Sequence, residues 1–214
     1  MNMSFDCPVG LLERLRFRYA EPHRRYHTWE HVLACFDALA CITTARLPEV
    51  ELALLFHDAV YEPLSPDNER RSAELLVEEG RRFWMDEGLL QRASRLVLAT
   101  RHDERGRAEE AGAADAPEAC IVLDADLSIL GAEPATFDAY EREVREEFAC
   151  VDDACWAVGR RRVLASFLER AAIYSTRRGV KLWEARARQN IERSLVGVPH
   201  MAAPAFTCEQ LRLH

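Results

Sequence analysis

Leu52-Ala-Leu-Leu-Phe-His57-Asp58-Ala-Val-Tyr61 decides how this chain is read. Apolar side chains fill nearly every position, so the segment has no polar stripe to turn toward water. It suits a helix buried at the centre of a bundle. Pro48 ahead of it is tolerated in a first helical turn, and Glu49 and Glu51 favour a helix N-terminus. His57 and Asp58 interrupt the run, and burying such a pair costs several kcal/mol unless it is hydrogen-bonded or coordinated. A divalent cation satisfies both groups, since neutral imidazole and carboxylate are its common ligands. An ordinary hydrogen-bonded core pair satisfies them too. Two side chains from one turn do not close a coordination sphere, so other helices must contribute. His31, near the start of an earlier helix, and Asp124 or Asp126, near a later one, are the available sources.

Outward from this segment the pattern stays helical. Leu11, Leu12, Leu15 and Tyr19 recur at helical spacing, as do the apolar residues between His31 and Ile42. Ser65 is placed to cap a helix with Pro66 at its first position, running to Trp84. Further helices are predicted over 88–100, 118–130, 134–149, 153–176 and 181–196, with Gly197 and Pro199 as a stop. The polar stretch 102–117 reads as a flexible loop. No alternating strand pattern is present. The expectation is an all-α, compact bundle of about eight or nine helices, one domain over 1–196 with a C-terminal tail over 197–214.

Composition narrows the partners. Hydrophobic residues form 49% of the 214, enough for a sizeable core. A net charge of -8 makes the chain a poor match for a nucleic-acid polymer, though not for a small phosphorylated substrate. The seven cysteines are odd in number and show no CxxC spacing, and Cys35, Cys41 and Cys120 lie in apolar runs as small hydrophobes. That usage fits a reducing cytoplasm. No signal-peptide pattern opens the chain, and no run approaches the roughly 18 apolar residues that span a bilayer.

His31, the His57-Asp58 pair and a later aspartate, in that order and on helices, resemble the HD-domain superfamily of metal-dependent phosphohydrolases. Longer blocks resemble one branch of it: Tyr26-His27-Thr-Trp-Glu-His31, Phe56-His-Asp-Ala-Val-Tyr-Glu-Pro63, Asp67-Asn-Glu69 with Ser72-Ala73, Leu123-Asp-Ala-Asp-Leu-Ser-Ile-Leu-Gly131, and Arg170-Ala-Ala-Ile-Tyr-Ser-Thr176. The resemblance implies an HD-type bundle. It also implies one divalent transition metal ion (Mn, Fe, Co, Ni or Zn) held by His31, His57, Asp58 and Asp126. Asp126 is preferred to Asp124 because an Ala-Asp pair leading into a leucine-bearing helix is the commoner form, which leaves Asp124 as a cap or supporting acceptor.

In such a site the ion polarises a phosphoryl group and activates water. Asp58 would also orient that water. Glu62, one helical turn after Asp58, would be a general base or else an ordinary surface acid. His102 would touch substrate or a further metal, or only the end of its helix. His27 would face the substrate or steady a ligand, with a surface role equally open. Arg24, Arg25 and Arg101 are the cations nearest in sequence for a phosphate, and Asp67 and Glu69 are candidates for the pocket. Arg160-Arg161-Arg162 would contribute one side chain to the phosphate or else form a solvated helix face pairing with acids, and Lys181, His200 and His214 carry no assignment. The expected activity is hydrolysis of a small phosphorylated metabolite or nucleotide. The alternatives are a di-iron oxygenase on the same fold, which calls for more histidines, and a catalytically silent nucleotide-binding module. A homo-oligomer is compatible with all three.

Overall fold

The computed structural model describes residues 3, 5–101 and 116–197. Among them the chain is all-α, with nine helices and no strand. In order these are α1 (Val9–Tyr19), α2 (Trp29–Ile42), α3 (Pro48–Phe56), α4 (Asn68–Arg82), α5 (Glu87–Ala99) and α6 (Pro117–Asp126). A 3₁₀ turn (Leu127–Gly131) follows, then α7 (Pro134–Glu147), α8 (Asp153–Leu168) and α9 (Arg177–Gly197). Among the described residues no helix is long and apolar enough to cross a membrane.

α3 is the central helix its composition demands: Leu52 to Phe56 are all fully buried. It packs against α2, α5 and α6, with α4 lying across α5. Two apolar clusters result. One gathers α1 to α6; the other gathers the 3₁₀ turn, α7, α8 and the buried face of α9, with Trp183 packed against both. His31, His57 and Asp126 lie along the seam between them.

Several boundaries differ from the sequence expectation. α3 ends at Phe56, and His57 forms its C-cap. His57 Nδ1 takes the Leu54 carbonyl and Tyr19 Oη that of Leu55; beyond them the Arg24 guanidinium takes the carbonyls of Asp58 and Ala59 and Ser72 Oγ pairs with the Val60 backbone, so the helical ladder does not resume. Ser65 does not cap the next helix. α4 starts at Asn68, whose side-chain amide bonds both backbone groups of Glu62 and pins the loop. The helix expected over 118–130 tightens into the 3₁₀ turn after Asp126.

The largest difference lies beyond α8, which ends at Leu168 rather than near 176. The amides of Ile173 and Tyr174 go to the Glu184 carboxylate, and those of Ser175 and Thr176 go to Asp124. Carboxylates thus replace the i−4 carbonyls a helix would have used. Thr176 Oγ1 then accepts from the Gly179 amide, 2.9 Å away, so α9 begins at Arg177 instead of 181. Cys41 is exposed rather than in the core, and no described cysteine is in a disulfide. Arg160 is not on a solvated face: it is buried against Tyr140 Oη and Glu141.

Candidate metal centre

Three elements bring four ligand-type side chains together. His31 comes from the first turn of α2, His57 and Asp58 from the turn closing α3, and Asp126 from the last residue of α6. His31 Nε2 lies 3.0 Å from His57 Nε2, 3.1 Å from Asp126 Oδ1 and 3.6 Å from Asp58 Oδ2. His57 Nε2 lies 3.0 Å from Asp58 Oδ2 and 3.5 Å from Asp126 Oδ1. The histidines are 5% and 2% exposed.

One hydrogen bond fixes the chemistry of this convergence. His57 Nδ1 is 3.0 Å from the carbonyl oxygen of Leu54, which only accepts, so Nδ1 carries the hydrogen. In a neutral ring Nε2 is then a bare lone pair facing a second imidazole and two carboxylate oxygens. Acceptors gather this way only around positive charge, a proton or a cation. Burial lowers the His57 pKa, but Asp58 and Asp126 carry it well above the ordinary histidine range. Burial raises Asp58 and Asp126, yet the imidazoles hold both carboxyls well below theirs. The spacing also fits an ion. Bonds of about 2.1 Å place neighbouring donors about 3.0 Å apart in an octahedron and about 3.4 Å apart in a tetrahedron, and the five measured separations fall around those values.

His31, Cys35, His57 and Asp126 each offer a ligand atom within 4.8 Å of the others, a buried group that could hold a metal ion. Cys35, one turn after His31 on α2, is a site neighbour the sequence reading took only as a small hydrophobe. Its Sγ lies 3.7 Å from Nε2 and 3.8 Å from Nδ1 of His31. Near-equal distances put the sulfur beside the ring rather than in line with the Nε2 lone pair. Burial first, then Asp126 and Asp58, push its thiol pKa well up. Asp58 Oδ2, 3.0 Å from His57 Nε2 and 3.6 Å from His31 Nε2, is a further donor at the cluster.

Asp124 and Asp126, two residues apart on α6, face opposite ways. Asp124 is buried and accepts from the Ser175 and Thr176 amides and from Thr176 Oγ1 at 2.8, 2.8 and 2.6 Å. Its carboxylate anchors the start of α9 and does not join the histidines.

The other residues singled out from sequence divide sharply. His27 is buried, bonded through Nδ1 to Glu147 Oε2 at 2.6 Å and stacked on Tyr61. Arg24 is buried and fully used: its guanidinium bonds Glu21 and the carbonyls of His27, Asp58 and Ala59 between the rings of Tyr19 and Tyr61. No donor is left for a phosphate; the side chain instead ties the His27 segment to the Asp58 segment. Arg25 is exposed and bonded to main-chain carbonyls. Glu62 is exposed, and because α3 has already ended, the helical phase that would aim it beside Asp58 does not exist. Asp67 is exposed and paired with Arg70, and Arg101 is exposed. Glu69, by contrast, is buried and lines the cavity at the cluster with Thr100, His57, Asp58 and Asp126. That cavity holds about 30 Å³, room for a water or two. No arginine or lysine lines it among the described residues. His102, His200, His214 and the rest of the tail lie outside the described residues.

Glu147 was missed altogether. Its Oε1 accepts the consecutive amides of Arg25, Tyr26 and His27 at 2.7, 2.9 and 3.0 Å, and its Oε2 accepts from Tyr61 Oη and His27. Burial raises its pKa, but His27 and these amides bring it down to about 2. The signal was there: Glu147 continues the buried stripe of Phe137, Tyr140 and Val144 on α7, a carboxylate where a hydrophobe belongs.

Neither family models, nor curated proteins, nor solved structures gave a match to this chain.

Proposed function

We propose that this chain is a metal-dependent phosphohydrolase of the HD-domain kind, acting on a small phosphate monoester. The observation that carries the reading is the set of five nitrogen–nitrogen and nitrogen–oxygen separations, 3.0 to 3.6 Å, among His31, His57, Asp58 and Asp126. A divalent transition metal bound there supplies Lewis acidity toward a phosphoryl oxygen and water acidified for attack. The chain's own groups supply orientation. The Leu54 carbonyl fixes the His57 tautomer, and Arg24 grips the Asp58 carbonyl while the Asp58 side chain keeps one oxygen for a water proton. Among the described residues no arginine or lysine lines the cavity, so there the ion carries the offset of phosphate charge, which favours a monophosphate over a longer anhydride.

The di-iron alternative is disfavoured by the histidines. Among the described residues His23 bonds the Tyr61 carbonyl through Nε2, and His27, whose Nδ1 bonds Glu147, is the one further imidazole lining the cavity, fewer than a second ion on this fold calls for. A screen of small phosphate monoesters with Mn, Fe, Co, Ni or Zn tests the proposal. Wild type is expected to turn over at least one ester, and Asp58→Ala about a hundredfold less. Equal rates in the two proteins refute it.

A further inference from the structure

His27 lines the cavity at the cluster without belonging to the ligand set. It sits in the loop that leads into α2, four residues before His31, with the two rings 5.9 Å apart. Its own ring is held firmly. Nδ1 lies 2.6 Å from Glu147 Oε2, Tyr61 stacks on the ring at 4.2 Å, and Tyr26 meets it edge-on at 5.0 Å. Glu147 is fixed in turn by the Arg25, Tyr26 and His27 amides and by Tyr61 Oη. A carboxylate only accepts, so Nδ1 carries the hydrogen. Nε2 then has no bonding partner among the described residues, although the residue is only 5% exposed. A buried imidazole with one nitrogen tied to a carboxylate and the other uncommitted is suited to carrying a proton. The carboxylate fixes the ring's orientation and balances the imidazolium.

Hydrolysis of an alkyl phosphate has two proton needs. The attacking water gives one up, a side served by the ion and by Asp58. The departing alkoxide must gain one, because it is too basic to leave readily without it. The hydroxyls that line the cavity are poor sources. Thr100 Oγ1 donates to the Val97 carbonyl, and burial pushes the phenol pKa values of Tyr26 and Tyr140 up.

We propose that His27 is the general acid of this site, with Nε2 handing a proton to the leaving oxygen of an alkyl phosphate and Glu147 holding the ring in place. The inference rests on the phosphohydrolase reading. As the water oxygen bonds phosphorus, the bond from phosphorus to the ester oxygen breaks and its electron pair stays on that oxygen. The His27 proton converts it to the alcohol. The water's proton leaves by way of Asp58 to solvent, and His27 regains one from solvent.

His27→Asn tests this, since the Asn amide can donate to Glu147 in place of Nδ1 while Nε2 is gone. Hexyl phosphate and nitrophenyl phosphate are compared in wild type and variant; nitrophenolate departs without a proton. On the hexyl ester kcat is expected to fall about a hundredfold, and on the nitrophenyl ester by less than about threefold. Elemental analysis should still find one ion per chain. A second measurement needs neither turnover nor a variant: histidine nitrogen NMR of the Zn-loaded wild type. Inorganic phosphate is expected to move the His27 Nε2 resonance toward its protonated position and to leave Nδ1 in place. Equal losses on the two esters overturn the proposal and leave the phosphohydrolase reading standing. So does a selective loss found in Glu69→Gln but absent from His27→Asn, or an Nε2 resonance that phosphate does not move. Both esters inert in wild type under every metal refute the phosphohydrolase reading, and this inference with it.

Discussion

Replacing Glu147 by Gln tests the claim that one carboxylate holds the loop that presents the histidines. The side chain keeps its shape but loses its charge, and its new amide hydrogens oppose the three backbone N–H groups or the His27 and Tyr61 donors. A pKa of about 2 against an ordinary 4.5 corresponds to about 3 kcal/mol at about 1.4 kcal/mol per pH unit. Because the folded pKa is depressed, that stabilisation is complete above about pH 4.5 and disappears as pH falls toward 2. Urea unfolding of both proteins across pH 2 to 7 gives the difference directly. At pH 7 Glu147→Gln should be about 3 kcal/mol less stable, and the gap should close through that acid window. Metal affinity, read by titration, should fall by less than the about 10- to 100-fold that losing a hydrogen bond to a ligand costs, since Glu147 bonds the loop before His31 and no ligand. A gap that does not depend on pH, or an unchanged midpoint at neutral pH, refutes the reasoning.

Titration with Zn or Mn should give one ion per chain in wild type and none in His57→Ala or Asp126→Asn, measured by elemental analysis after desalting. A saturating metal at about a hundredfold its Kd should add about 2.7 kcal/mol, which raises Tm by about 5–10 °C in a chain of this size. Arg24→Met keeps the stem between Tyr19 and Tyr61 but leaves three buried carbonyls without donors, so thermal unfolding should show a loss of about 2–4 kcal/mol. Gly179→Ala drives a methyl group into the Asp124 carboxylate and should cost about 1–3 kcal/mol by the same measurement.

The sequence made α3 legible because an all-round apolar run has only one place to go, and His57-Asp58 within it demanded partners. The meeting of His31, His57, Asp58 and Asp126 follows from that demand. Boundaries were hidden wherever a distant side chain overrode local propensity: Tyr19 takes the Leu55 carbonyl at the end of α3, Arg24 takes those of Asp58 and Ala59 just beyond it, and Asp124 and Glu184 draw 173–176 out of the helix its periodicity suggests. Neighbours in sequence misled for Arg24, whose proximity to the histidine motif reflects structural service. Glu62 misled because its assumed helical phase needed a helix that had already stopped. Glu147 lies far along the chain from the loop it binds, so only its place on an apolar stripe betrayed it.

The two aspartates of α6 join distant parts of the molecule through a single intervening residue. Asp124 moors the last helix; Asp126 points at the imidazoles. No α9 side chain is needed at the ion, yet whatever unmoors α9 frees the end of α6 to drift and carries a prospective ligand out of reach. Loss or fraying of the C-terminal helix should therefore silence the centre from a distance, and a partner that clamps α9 should tighten its hold on the ion.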